Sequence, residues 1–194
     1  MLSSTRRFSV RTSLTTILAA AVVLAMNFGV STGLKAADTD TALPQAGQMA
    51  PGFSLPSEDG TKISLKSFPG KWVVLYFYPK DMSHGCTIEA HNFQADMPKY
   101  EQLHAVIVGV SVDSTSSHQE FCAKDGLHFK LLSDENRTVS QQYGSLGESD
   151  AKMAKRNTFL INPQGKIVKV WTAVDPNSHS QEVLAELAQV EGKG

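Results

Sequence analysis

Two uninterrupted apolar runs constrain this chain more than any other feature. They are Trp72-Val73-Val74-Leu75-Tyr76-Phe77-Tyr78 and Ala105-Val106-Ile107-Val108-Gly109-Val110-Ser111-Val112, and neither carries a charge. A strand with one wet face alternates apolar and polar side chains, whereas a strand that is apolar throughout is covered on both faces. Between the runs, Phe93, Met97 and Tyr100 recur at spacings of four and three, the stripe of a helix. A helix joining two such strands is a crossover, and a crossover requires parallel pairing. The pattern predicts this helix from Thr87 to about Leu103, with a kink or early end near Pro98.

The remaining segments extend the same plan. Residues 52–67 hold a turn at Glu58-Asp59-Gly60 and a short alternating strand, Lys62-Ile63-Ser64-Leu65. A helix is expected over 114–125, with serines at 114, 116 and 117 as caps and Gly126 as its stop. A short strand ends at Leu131-Leu132, and a small helix is expected over 135–143. Residues 158–161 and 166–171 read as strands joined by an Asn162-Pro163-Gln164-Gly165 hairpin turn. A last helix from about Ser180 carries Val183, Leu184, Leu187 and Val190 on one face. Parallel strands with helical crossovers plus an antiparallel hairpin give an α/β fold of thioredoxin-like arrangement. The expected sheet is mixed and central, with helices on both faces and an N-terminal extension.

The first 37 residues are a different material. They contain Arg6, Arg7, Arg11 and Lys35, no acidic residue, an apolar stretch over 14–26, and small residues ending at Ala36-Ala37. A charged start, a short apolar middle and a small-residue end are the parts of a secretory signal peptide. A membrane anchor is the rival reading, although the apolar core is shorter than the ~20 residues a bilayer needs. A transit peptide is a third. The expected organisation is a signal or anchor over 1–37, a polar linker over 38–47 and one domain over 48–194. The expected location is exported (periplasm, lumen or secreted), with a membrane-anchored form as the alternative. The full chain of 194 residues has a net charge of −1 and no basic run. Nothing in it suggests nucleic acid as a partner.

Chemistry enters at Tyr78-Pro79-Lys80-Asp81-Met82-Ser83-His84-Gly85-Cys86-Thr87-Ile88-Glu89. Cys86 falls in the first turn of a helix, at the C-terminal end of a buried strand. A helix N-terminus has unpaired N–H groups and partial positive charge, and both favour thiolate over thiol. This places a nucleophilic sulfur there, whereas inert packing is the usual fate of a buried cysteine. Cys122, beside Phe121 in the next helical pattern, could equally be core.

The run Pro79-x-x-x-Ser83-x-x-Cys86-x-x-Glu89 resembles the active-site signature of the peroxiredoxins. The blocks Phe77-Tyr78-Pro79-Lys80-Asp81, Ser111-Val112-Asp113-Ser114 with His118, Leu131-Leu132-Ser133-Asp134 and Arg156-Asn157-Thr158-Phe159-Leu160-Ile161-Asn162 are similar to the Q-type, or bacterioferritin comigratory protein, branch. The resemblance spans about residues 48–190. It implies a thiol peroxidase acting on hydrogen peroxide and alkyl hydroperoxides without metal, haem or flavin.

Under the resemblance, each site residue has a role. Cys86 attacks the distal peroxide oxygen. Arg156, always charged and rich in donors, holds the thiolate and the peroxide oxygens. The Ser83 hydroxyl bonds the peroxide, or only caps the helix. Pro79 packs over the sulfur, and Glu89 orients the arginine. The resulting sulfenic acid must condense with a second thiol. Many Q-type members carry that thiol five residues on, where this chain has His91. The resemblance leaves Cys122 as the resolving cysteine, recycled by a thioredoxin-like reductant. A single-cysteine peroxidase resolved by an outside thiol remains open, as does a non-catalytic thioredoxin-fold binding module. A thiol–disulfide oxidoreductase would want Cys-x-x-Cys, and Glu89 fills the second slot. His84, Cys86, His91 and Cys122 match no standard zinc spacing. A monomer or weak dimer is expected. His104, His128 and His179 are expected to be solvated.

Overall fold

The computed structural model describes residues 42–146 and 152–192. The 1–37 segment read as a signal or anchor lies outside the described residues, as does the start of the 38–47 linker. In chain order the elements are β1 (Leu55–Pro56), β2 (Lys62–Ile63), β3 (Trp72–Phe77), α1 (His84–Gln102), β4 (Ala105–Ser111), α2 (Thr115–Asp125), β5 (Lys130–Ser133), α3 (Thr138–Gln142), β6 (Asn157–Ile161), β7 (Ile167–Thr172) and α4 (His179–Glu191). Five strands form one mixed sheet in the order β5-β4-β3-β6-β7. Pairing is parallel across β3–β4 and β4–β5 and antiparallel across β3–β6 and β6–β7. The two apolar runs are thus the inner parallel pair, and the hairpin closes one edge.

The pleat divides β3 between two cores. Val74 and Tyr76, with Tyr78 beyond them, face a cluster built from α1, α2 and α4. Val73, Leu75 and Phe77 face a second cluster of Phe53, Leu55, Ile63, Val139 and Tyr143. Helices therefore cover one face densely. The other carries α3 and the N-terminal hairpin β1–β2. Gly109 sits opposite Tyr76 across β3–β4. A Cβ there would stand 2.7 Å from Leu131 Cδ2 and 2.9 Å from the Tyr76 ring, so glycine is what leaves room for that ring.

Several elements differ from the sequence expectation. The first helix begins at His84 rather than Thr87, which puts Cys86 inside it, three residues past the cap position at Ser83. The helix also runs through Pro98 to Gln102 without ending. Pro98 is exposed, and the turn beyond it is pinned by Tyr100, fully buried, whose hydroxyl donates to the Ser180 carbonyl at 2.7 Å. Tertiary contact outweighs the lost hydrogen bond. The 62–65 strand shortens to Lys62–Ile63, because Ser64 and Ser67 box a 3₁₀ turn over Leu65–Ser67. The 135–143 helix shortens to Thr138–Gln142, since Asp134 accepts from the amides of Val139 at 3.3 Å and Ser140 at 2.7 Å. The 114–125 helix starts from Ser114, whose hydroxyl accepts from Ser117 N, and stops at Gly126 with φ 64°.

The domain begins inside the stretch read as linker. Leu43 packs on the second core, and the Gly47 amide donates to Ile167 O at 2.8 Å.

Candidate active site

The segment between β3 and α1 is held by a buried network. Asp81, 3% exposed, accepts from Tyr78 Oη at 2.6 Å and from Ser117 Oγ at 2.7 Å, and pairs with His118 Nδ1 at 2.8 Å. Its own amide donates to Asp113 Oδ2 at 3.0 Å. Burial alone would raise the Asp81 carboxyl, but His118 and the two hydroxyls hold it below the usual range. Next to it, Met82 takes φ 55°, a left-handed conformation rare for a residue with a side chain. The network fixes this bend, and the bend aims the first turn of α1.

Cys86 is buried at 2% exposure and carries no disulfide. Arg156, in the residue before β6, reaches across to it: Nη2 donates to Cys86 Sγ at 3.3 Å. The second nitrogen of the same fork, Nη1, pairs with Glu89 Oε2. One guanidinium therefore bridges the thiol and a carboxylate one helical turn on, using two separate nitrogens of a rigid planar fork. Glu89 is completely buried, and its other oxygen, Oε1, has no partner. Burial pushes the Glu89 carboxyl up to about 7, against the pull of Arg156. Burial also works against the charge on Arg156, but Glu89 and Cys86 outweigh it and strengthen its hold on its proton.

Ser83 occupies the cap position without capping. Its hydroxyl donates to Lys80 O at 3.0 Å instead of accepting from a helix amide, which corrects the capping role considered for it. That bond leaves the oxygen's lone pairs open beside the helix start. Pro79 is half-buried in the bend directly after β3. Cys86, Glu89 and Arg156 are thus brought into contact, with Ser83 and Pro79 on the segment leading in.

Cys122 lies on α2, half-buried, against the same core cluster that contains Cys86. Burial pushes its thiol up to about 12, with the charges of Glu58 and Asp81 adding and Lys130 opposing. It is a protonated thiol at neutral pH.

His179 corrects the expectation of solvation. It is fully buried, with Nε2 2.8 Å from Thr158 Oγ1, and burial lowers it to about 4, so it is neutral. The α4 start seats it under Trp171 and Phe93. Asp81, His118 and Tyr76 received no role from sequence reasoning, although all three belong to the polar layer around the site. The Tyr76 hydroxyl is buried without a partner. Pairings across 40 and 37 residues, unreadable from local pattern, join His118 to Tyr78 and Asp81.

The pattern of the AhpC/TSA family matches residues 46–170. Peroxiredoxin Bcp of Xanthomonas campestris pv. campestris is 39% identical over 142 residues, covering 70% of this chain and 89% of that protein. The crystal structure of peroxidoxin BcpB from Mycobacterium tuberculosis superposes with a TM-score of 0.71 at 31% identity, over 75% of this chain and 97% of that one. A cysteine-to-serine mutant of Xylella fastidiosa PrxQ gives 0.70 at 34% identity, over 75% and 96%.

Proposed function

From the premise that this chain belongs to the AhpC/TSA family and is a thiol-dependent peroxidase, we propose that Cys86 is its peroxidatic sulfur and Arg156 the group that activates it. The observation that carries this is the guanidinium fork, with one nitrogen 3.3 Å from Cys86 Sγ and the other on Glu89. The Cys86 thiolate attacks the distal oxygen of a hydroperoxide. The S–O bond forms as the O–O bond breaks, and the departing oxygen takes a proton to leave as water or an alcohol. Arg156 donates to the oxygens as negative charge moves onto the leaving one, where a preformed donor counts most. The Ser83 oxygen accepts from the peroxide, Glu89 keeps the arginine in register, and Pro79 presents no amide that would draw water to the sulfur.

Cys122 then condenses with the sulfenic acid. Its sulfur sits on a different helix, so a bond with ordinary Cα spacing below ~7 Å calls for unwinding of the first turn around Cys86. A dithiol protein of thioredoxin kind regenerates the pair. The chain acts as a monomer or weak dimer; among the described residues only Met49 and Met153 are large hydrophobics in the open. Segment 1–37 directs export, a reading supported by its basic start, apolar middle and Ala36-Ala37 end. N-terminal sequencing of protein from the exported fraction tests this, and an intact Met1 in soluble protein rejects cleavage.

Intact-mass analysis after one equivalent of peroxide tests the two-cysteine reading. Loss of two hydrogens is expected, and Cys122→Ser should gain oxygen instead and stop recycling by thioredoxin. The burial that keeps Cys122 protonated favours the second reading, a single-cysteine peroxidase. In that case wild type gains one oxygen and Cys122→Ser turns over unchanged.

A further inference from the structure

His118 is the one member of the Asp81 network with an unused chemical end. The ring is fully buried, and Nδ1 lies 2.8 Å from Asp81 Oδ2. In the neutral ring, an aspartate that accepts from Nδ1–H leaves Nε2 as a bare lone pair. Nε2 has no hydrogen-bond partner. A buried ring nitrogen left without a partner is costly, so its persistence asks for a use outside the reduced state. His118 and Cys122 are four residues apart on α2, which puts them one above the other on one helix face. The Asp81 charge reaches the Cys122 thiol as well.

We propose that His118, positioned by Asp81, is the general base that takes the Cys122 proton when the disulfide with Cys86 forms. The inference rests on the reading of Cys122 as the resolving thiol. Cys122 Sγ–H gives its proton to His118 Nε2, and the thiolate attacks the sulfur of Cys86–S–OH. The S–S bond forms as the S–O bond breaks. The departing hydroxide takes the proton back and leaves as water. Cys122 is oxidised, the sulfenic sulfur is reduced, and no further reactant is needed. A base is required because burial holds this thiol far from ionisation at neutral pH. The order acid–imidazole–thiol is that of other activated nucleophiles, in which the third group orients the base. Asp81 also anchors the chain just before α1, so the first turn can unwind from Ser83 onward while the dyad stays assembled. No hydrogen bond joins Nε2 to Sγ in the reduced structure.

The discriminating variant is His118→Asn. Its amide can still donate to Asp81 from the Nδ1 position, so a purely structural tie survives while the base is gone. Stopped-flow tryptophan fluorescence of the full chain, paired with quenched mass analysis, separates peroxide attack from disulfide formation. The expected result is a sulfenic acid that persists, with disulfide formation slowed ~10²-fold or more. In the variant that step should also become steeply pH-dependent up to alkaline pH, following the thiol itself. A wild-type resolution rate in His118→Asn overturns the proposal.

If that variant does not fold, the pH profile of resolution decides. The groups facing the pair are Asp81 and Tyr78 around His118, with Asp113 and Ser117 bonded to Asp81 behind them, and Glu58, Lys130 and Asp81 around Cys122. Glu89, on Cys86's own helix, titrates near neutrality. The profile is therefore taken in a Glu89→Gln background. A rate that levels off well below the pH at which the Cys122 thiol itself ionises supports the base. A rise that continues unbroken to alkaline pH overturns it. If wild type forms no disulfide and gains oxygen, the Cys122 reading has failed, a result distinct from a slow disulfide in His118→Asn.

Discussion

Replacing Arg156 with methionine removes the guanidinium and leaves a side chain of comparable length. At 3.3 Å from Cys86 Sγ, one unit charge stabilises another by about 5 kcal/mol at an effective dielectric near 20 and by about 1 kcal/mol in bulk water. The Arg156 side chain is 15% exposed, which places it nearer the first figure. The part of that interaction that matters for rate is what grows between thiolate and transition state. Loss of a single preformed donor to a developing oxyanion costs about 3–4 kcal/mol, or ~10²–10³-fold. Stopped-flow measurement of the first peroxide step should therefore show Arg156→Met slower by that factor. Arg156→Lys should recover only part, since an ammonium keeps the charge but lacks the rigid fork whose two nitrogens span Cys86 and Glu89.

Glu89 supplies a second readout of the same substitution. Without Arg156 a fully buried carboxylate has no counter-charge, and it takes up a proton rather than stay ionised. Its native value, about 7, already lies above the unfolded 4.5. A raised carboxyl contributes stability that is present below pH 4.5 and is lost as pH rises through 7. In Arg156→Met the loss extends to higher pH, so the destabilisation relative to wild type should be level up to about pH 6 and grow from pH 7 to pH 9. A variant that attacks peroxide within threefold of wild type, with a stability deficit flat in pH, would remove Arg156 from both roles.

Other consequences are directly measurable. Cys86→Ser should have no peroxidase activity, because a serine hydroxyl is not ionised near neutrality; turnover above a few per cent of wild type rejects Cys86 as the nucleophile. In the reduced protein Cys122, pushed to about 12, should alkylate ~10³-fold slower at pH 8 than a free thiol of ordinary pKa near 8.5; mass-resolved labelling that finds Cys122 modified at a free-thiol rate contradicts its burial. Gly109→Ala forces a methyl against Leu131 and the Tyr76 ring, both fully buried. The overpacking should cost about 2–3 kcal/mol; a melting temperature equal to wild type refutes the packing argument.

The sequence alone determined the elements whose signals are local. Unbroken apolar runs marked β3 and β4 as doubly covered strands, because burial on both faces leaves no polar alternation. Ser114 and Gly126 bracketed α2, since a cap hydroxyl and a left-handed stop act within one turn. The position of Cys86 at a strand-to-helix junction, with Ser83 and Glu89 around it, was legible for the same reason. What only the tertiary structure decided depends on partners far along the chain. Pro98 remains inside α1 because Tyr100 is held by Ser180, eighty residues on. His179 is buried and neutral because α4 closes over Thr158 and Trp171. Arg156 meets Cys86 because β6 pairs antiparallel with β3, which brings the residue before β6 to the end of β3 from which the chain enters α1. The Asp81–His118 pair exists because α2 packs over the bend after β3. Local pattern records the energy of one turn or one pleat; these contacts are settled by the sheet register and by how the helices lie on it.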